Sequence, residues 1–186
     1  MKIIGIILAA GKGKRMNSKN TNKTALQFNG KKLIDYGIDL LKDITSEIVL
    51  VVGAYAESVK KSVLDKSVVF ARQTKRLGTG HAVKCALRVI KTNPDIVLLG
   101  YGDHMMFYSK ELINKLIQLH KEKNAVVSLI STTVHDPTGW GRIIRNADGF
   151  VDRIVEQKDA SESEKKVKEV NAGFYCFDFK FLKKKY

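Results

Sequence analysis

Hydrophobic residues along this chain fall into short runs, and the stretches between them have helical spacing. Ile3–Leu8, Ile48–Val52, Val68–Phe70, Ile96–Leu99 and Ala125–Ile130 are apolar runs of strand length. Several are continuous rather than alternating, which is the pattern of strands covered on both faces in a parallel sheet. Leu33, Ile34, Gly37, Ile38 and Leu41 recur on one helical face. Ala82, Cys85, Ala86, Val89 and Ile90 form a second such face, and Leu112, Ile113, Leu116, Ile117 and Leu119 a third. Strands alternating with helices predict an α/β fold, a mainly parallel sheet flanked by helices with right-handed crossovers. Ligands in such sheets bind beyond the carboxyl ends of the strands, so chemistry is expected in the segments after Leu8 and after Leu99. Beyond Thr132 the texture changes. Short strand-like pieces at Gly141–Arg145, Phe150–Val155 and Glu169–Phe177 surround a charged, helical-looking insert, Ala160–Lys166. No linker, repeat or low-complexity stretch divides residues 1–186, which are expected to form one domain.

Charge sharpens this picture in one place. The net charge is +14, and lysine is scattered throughout, yet the first 34 residues hold eight Lys or Arg and no acid before Asp35. Within that block the strand-like run Ile3–Leu8 empties into Leu8-Ala9-Ala10-Gly11-Lys12-Gly13-Lys14-Arg15-Met16. A glycine-rich basic loop after a buried strand offers backbone N–H groups, close approach and positive charge together, which suits a polyphosphate. The spacing is neither that of a P-loop nor that of a dinucleotide fingerprint, whose third glycine is replaced by Met16. Arg15 is the expected phosphate clamp, because a guanidinium grips two oxygens at once. Lys23 is within reach of the same site or is another surface lysine. With only Phe28 and Tyr36 as aromatics in or near the block, and no RNA-binding motif, nucleic acid is not the expected partner. The run Lys183–Lys185 reads as a solvated end.

Other residues have two readings each. Asp103, after the strand Ile96–Leu99, is either a turn aspartate or a Mg²⁺ ligand facing the cationic loop. His104 beside it reads as an exposed neighbour. Thr79, in Gly78-Thr79-Gly80-His81, is an N-cap or a donor to a base or ribose. Gln73 carries an amide that serves a turn or solvent, or pairs with a base edge. Gly139 suits close backbone approach, and Glu156 and Asn171 supply an acceptor and an amide for sugar hydroxyls. Cys85 and Cys176, in apolar segments without metal spacing, are expected to be buried free thiols in a reducing compartment. No apolar run approaches the roughly 20 residues of a membrane span, and no signal-peptide layout is present, so the expected location is cytoplasmic.

Taken together, Leu8–Met16, Leu77–Ala82, Tyr101–Asp103, Thr138–Arg145, Ile154–Ala160 and Glu169–Phe177 resemble the nucleotidyltransferase (pyrophosphorylase) domain of bacterial bifunctional UDP-N-acetylglucosamine pyrophosphorylase / glucosamine-1-phosphate N-acetyltransferases. The stretches come in the family's order. The run Val155–Ala160, followed by Val170–Gly173, resembles the N-acetylglucosamine branch in particular. The resemblance implies a Rossmann-like fold of the nucleotide-diphospho-sugar transferase type. It also implies that UTP and N-acetylglucosamine 1-phosphate give UDP-N-acetylglucosamine and pyrophosphate by in-line attack, with Mg²⁺ as cofactor. Leu8, Ala9, Ala10 and Gly11, with Gln73, Gly78 and Thr79, would then bind the nucleotide. Arg15 and Lys23 would be catalytic, Asp103 would hold the metal, and Tyr101, Gly139, Glu156 and Asn171 would hold the sugar phosphate. Asn22 stands where the family has proline before its lysine, the segment Asn17–Asn22 is one residue longer, and Trp140 replaces Tyr or Phe. The resemblance further implies a domain that is short at its C-terminus. A second metal ligand and the trimer-forming β-helix would both follow Tyr186, so the oligomeric state is left open. The alternatives are a nucleotidyltransferase for another phosphorylated sugar or alcohol, and a non-catalytic nucleotide-binding remnant.

Overall fold

Strand β1, Ile3–Ala9, is buried along all seven residues, because parallel neighbours flank it and packed side chains cover both faces. A computed structural model describes residues 1–11, 21–63, 67–75 and 77–186 of the chain. Residues 12–20, Arg15 among them, lie outside the described residues. The chain divides into two compact units, Met1–Ser128 with Tyr175–Tyr186, and Leu129–Phe174.

In the first unit β4 (Glu47–Val52), β5 (Val69–Arg72) and β6 (Ile96–Tyr101) join β1 in the order β5-β4-β1-β6, with every pairing parallel. This is the predicted α/β sheet. The register sets Ala9 beside Val52, and Leu8 beside Tyr101. The carboxyl ends of β1, β4 and β6 are thereby brought level. β5 has one strand neighbour in this order, and its exposure varies accordingly, with Phe70 and Arg72 exposed and Ala71 buried. A hairpin of β2 (Gln27–Phe28) and β3 (Lys31–Lys32) precedes α1, Leu33–Leu41. The apolar face of α1 is the one the spacing predicts, with Leu33, Ile34, Gly37, Ile38 and Leu41 buried. Helix α3, Thr79–Leu87, stops short of the expected Val89 and Ile90, though both still pack on the core. Helix α4, Lys110–Glu122, is capped by Ser109, whose Oγ accepts from the Leu112 N–H.

Two helices of this unit escape the sequence pattern. Helix α2, Ala56–Ser62, buries only Ala56 and Val59, too few positions to reveal a period. Helix α6, Phe179–Lys185, is capped by Asp178 and drives Phe179 and Leu182 into the core that holds Ile4, Ile6 and Val97. Its last turn is the lysine run expected to be a solvated end. The side chains are exposed, as that reading requires, but the backbone is helical. Both cysteines are free and buried, as expected, and burial pushes the Cys176 thiol up to about 12.

His120, on the inner face of α4, is 4% exposed and shares a 2.9 Å hydrogen bond between Nδ1 and Ser128 Oγ. Burial lowers its pKa below 6.5, and the charge of Asp178 opposes that shift. Folded His120 therefore binds a proton less readily than unfolded His120. Its contribution to stability is complete above the unfolded pKa and is lost as pH falls toward the depressed folded value. The thermal midpoint is expected to drop by a few degrees between roughly pH 7.5 and pH 5.5. The drop should be smaller in His120→Gln, a comparison that calorimetry at both pH values makes directly.

The second unit is built on antiparallel pairings. Strands β8 (Arg142–Arg145) and β9 (Val151–Val155) form a hairpin, and β10 (Glu169–Asp178) pairs with β8 and with β7 (Val127–Thr133). The hairpin turn is set by Asn146, whose Oδ1 accepts from the backbone N–H of Asp148 and of Phe150. The short helix α5, Glu162–Lys165, carries a capping box between Ser161 and Glu164. Those bonds, together with Arg153 at 2.8 Å, hold the Glu164 carboxyl at about 2.

Candidate active site

The first unit gathers most of the sequence-predicted residues at the carboxyl end of its parallel sheet, where such folds bind ligands. Ala9 and Ala10 close β1, and Gly11 follows. The Gly102 N–H donates to the Leu8 carbonyl at 3.0 Å, and the Ala54 N–H to the Ala10 carbonyl at 3.3 Å. The loops leaving β4 and β6 are thus tied to the last turns of β1. Gly53 is required here, since a Cβ on it would lie 2.9 Å from both Cβ and the carbonyl oxygen of Ala10.

Lys23 opens a 3₁₀ turn, Lys23–Ala25, and its Nζ lies 2.5 Å from Asp103 Oδ2. The pair is partly open, with the Lys23 side chain 33% and the Asp103 side chain 22% exposed, so a ligand can reach it. Sequence spacing leaves Lys23 either at the site or on the general surface; its partner places it at the mouth of the sheet, on the side of β6. His104, at 3.9 Å from the same carboxylate oxygen and edge-on to Tyr101, is half-exposed.

Asn22 is the feature that sequence reasoning missed. It is 1% exposed. Its Nδ2 donates to the carbonyls of Ala9 (2.9 Å), Gly11 (2.9 Å) and Ala54 (3.0 Å), and its Oδ1 accepts from the N–H and hydroxyl of Thr24. Its backbone N–H donates to Ser58 Oγ on α2. The sequence signal was a polar residue in the place of a proline, and nothing local shows that such a residue is buried.

Gln73, just past β5, is 6% exposed. Its Nε2 donates to the Gly78 carbonyl at 3.0 Å and lies 3.2 Å from His81 Nδ1. A carbonyl accepts only from the amide nitrogen, so these contacts fix the orientation of the side chain and leave Oε1 as an acceptor. Gly78 has φ +89° and ψ −177°, a backbone state open in practice to glycine alone, and it is itself the N-cap of α3. Thr79 is therefore the first helical residue and not the cap. Its hydroxyl lies 3.3 Å from the Tyr101 hydroxyl. A cavity of about 390 Å³ also touches Thr79, but Val83, Leu99, Phe177 and Leu182 make its walls largely apolar.

The remaining predicted residues lie in the second unit, where one buried arginine organises them. Arg142 is 1% exposed, and its guanidinium donates to the Trp140 carbonyl, to Gln157 Oε1 at 2.6 Å and to the Lys165 carbonyl at 3.4 Å. Gln157 Oε1 also accepts the Gly139 N–H at 3.2 Å. Gly141, which lies 3.4 Å below Glu156 Oε1 when measured from the Cβ position it leaves empty, accepts the Asn171 N–H at 2.8 Å. Gly139, Glu156 and Asn171 are thereby drawn into one frame within this unit. Removing the guanidinium would take its donors from the Trp140 and Lys165 carbonyls and leave Gln157 Oε1 with the Gly139 N–H alone. Arg142→Met is expected to cost about 2–4 kcal/mol in urea unfolding, whereas the exposed Arg153→Met should change little.

A carboxylate at a strand end, with Oδ2 already committed to a lysine, fits a Mg²⁺ ion that takes one or two carboxylates and otherwise phosphate and water oxygens. Among the described residues no three His, Cys, Asp or Glu side chains cluster into a fuller metal site.

The family model described as "Nucleotidyl transferase" matches residues 4–186. The chain is 44% identical over 178 residues to the bifunctional protein GlmU of Clostridium botulinum (strain Loch Maree / Type A3), covering 95% of this chain and 38% of that protein. It is 41% identical over 181 residues to the bifunctional protein GlmU of Acetivibrio thermocellus, covering 97% of this chain and 39% of that one. The chain thus spans less than half the length of these relatives. Among solved structures, HddC of Yersinia pseudotuberculosis superposes with a TM-score of 0.74 at 23% identity, over 99% of this chain and 80% of that one. At that identity the likeness speaks for the fold.

Proposed function

This chain belongs to the nucleotidyl transferase family, and on that premise we propose that it forms UDP-N-acetylglucosamine and pyrophosphate from UTP and N-acetylglucosamine 1-phosphate. The observation that carries the reading is the Lys23–Asp103 pair at the carboxyl ends of β1 and β6. It sets a cation and a carboxylate side by side at the mouth of the parallel sheet. The 44% identity to a GlmU protein supports the choice of sugar. Residues 1–186 act in this reading as one nucleotidyltransferase domain.

A phosphate oxygen of the sugar phosphate attacks the α-phosphorus of UTP in line, and the bond to the β-phosphate breaks as pyrophosphate leaves. Little covalent work falls to the protein, so its contribution is placement and charge. Arg15 and Lys23 draw charge from the phosphates. Asp103 is the residue that would hold Mg²⁺, which when bound screens the phosphate oxygens and offsets their charge. Leu8, Ala9, Ala10 and Gly11, with Gln73, Gly78 and Thr79, hold the nucleoside. Gln73 supports uridine over cytidine, because its Oε1 acceptor matches the N3–H donor of uracil and meets only a lone pair on cytosine N3. Tyr101, Gly139, Glu156 and Asn171 are assigned to the N-acetylglucosamine phosphate. A cytoplasmic site of action goes with these substrates. No described helix is long and apolar enough to cross a membrane.

Calorimetric titration tests the substrate class without turnover. UTP is expected to bind at least tenfold more tightly than CTP, and UDP-N-acetylglucosamine more tightly than UDP-glucose. Equal affinity across both pairs would contradict the assignment.

A further inference from the structure

We infer that Asn22 is a positioning residue for the transfer step, a buried amide that ties the backbone before Lys23 to Ala9, Gly11 and Ala54 and aims Lys23 at the reacting phosphates. The inference rests on the proposed nucleotidyl transfer for its kinetic consequence, but its geometric content stands apart from it.

One side chain reaches three segments. Ala9 closes β1 and Gly11 follows it, Asn22 caps the Lys23–Ala25 turn, and Ala54 belongs to the loop leaving β4. The two N–H bonds of the amide serve three carbonyls at 2.9, 2.9 and 3.0 Å, so at least one hydrogen is shared. Its oxygen takes two donors from Thr24, at 3.0 and 2.8 Å. Every polar group of the side chain is engaged, at 1% exposure, and a satisfied network of that kind holds one arrangement. The carbonyl of Asn22 accepts the Ala25 N–H at 3.0 Å, closing the 3₁₀ turn that begins at Lys23. The backbone N–H is held by Ser58 Oγ, which in turn donates to the Tyr55 carbonyl at 2.7 Å. Lys23 therefore leaves a backbone pinned on every side, and its ammonium meets Asp103 across the end of β1.

The backbone of Asn22 sits at φ −69° and ψ 140°. Proline's ring imposes that φ without any side-chain hydrogen bond, while giving up the backbone N–H bond to Ser58 Oγ. The amide and a proline ring are thus two physical routes to one placement of the following lysine, and this makes the inference testable by substitution.

The experiment reads Lys23 directly. Limited acylation with acetic anhydride, followed by peptide mass spectrometry, gives the reactivity of each lysine, with Lys60 as internal reference. In parent protein Lys23 is held by Asp103 at 2.5 Å and is expected to react more slowly than Lys60. In Asn22→Ala its relative rate is expected to rise about tenfold, and in Asn22→Pro to stay within about threefold of the parent. Steady-state kinetics with UTP and N-acetylglucosamine 1-phosphate should show kcat about a hundredfold lower in Asn22→Ala, KM for UTP within about threefold, and most of kcat recovered in Asn22→Pro. A residue with only a structural role would lower the melting temperature and leave kcat of the folded protein intact. Parent-like Lys23 reactivity in Asn22→Ala overturns the inference. Should Asn22→Ala fail to fold, the proline variant decides alone, and Lys23 as reactive there as Lys60 overturns it. Altered Lys23 reactivity in a protein that turns over no substrate pair would instead leave the positioning intact and remove the proposed reaction.

Discussion

Asp103→Asn is expected to lower kcat about a thousandfold while leaving the thermal midpoint nearly unchanged. The substitution keeps the shape of the side chain at the end of β6 and removes its charge. Two consequences follow from the geometry. Lys23 loses the carboxylate that lies 2.5 Å from its ammonium, and the proposed reaction loses the residue that would hold Mg²⁺. Loss of one preorganised charge in a reacting site costs roughly two to three orders of magnitude. Magnesium titration of the residual activity separates the two effects. A higher Mg²⁺ requirement assigns the loss to the metal, and an unchanged one assigns it to the placement of Lys23. A kcat within threefold of the parent would remove Asp103 from the chemistry.

Arg15→Ala should be comparably severe, about a thousandfold in kcat/KM, with Arg15→Lys recovering little of it. Arg15 lies outside the described residues, and its expected role follows from its chemistry. It is an arginine in a glycine-rich, basic stretch of sequence, and Asn22, which follows that stretch, donates its amide to the carbonyl of Gly11, which precedes it, at 2.9 Å. A guanidinium presents two parallel donors to phosphate oxygens, whereas an ammonium presents a single compact charge. Kinetics of both variants against UTP check this. Equal rescue by lysine would reduce Arg15 to bulk positive charge.

The parallel sheet was legible because burial on both faces writes itself into sequence as unbroken apolar runs. Ile3–Leu8 and Ile96–Leu99 are seen in the structure as β1 and β6, each extended by a residue or two. Helices α1 and α4 were legible from their faces. What escaped was structure held by few buried positions or by polar contacts. Helix α2 has two inward residues, and α6 hides Phe179 and Leu182 among lysines. At the candidate site, a carboxylate at a strand end could be anticipated from topology. The 2.5 Å approach of Lys23 could not, since it depends on a contact across 80 residues. Asn22 was the least legible of all. Its role lies in three backbone carbonyls, and backbone carbonyls leave no trace in sequence. Arg142 was equally hidden, because an arginine in a glycine-rich segment looks exposed until Gln157 and the Trp140 carbonyl are seen to enclose it.

The account turns on one reaction, and pyrophosphate release measures it. The chain would be incubated with Mg²⁺, UTP and N-acetylglucosamine 1-phosphate, beside glucose 1-phosphate and beside CTP, GTP and dTTP. The account predicts release with the UTP and N-acetylglucosamine 1-phosphate pair, at least tenfold faster than with any other pair. Faster release with another sugar phosphate or nucleotide, or none with any pair, would contradict it.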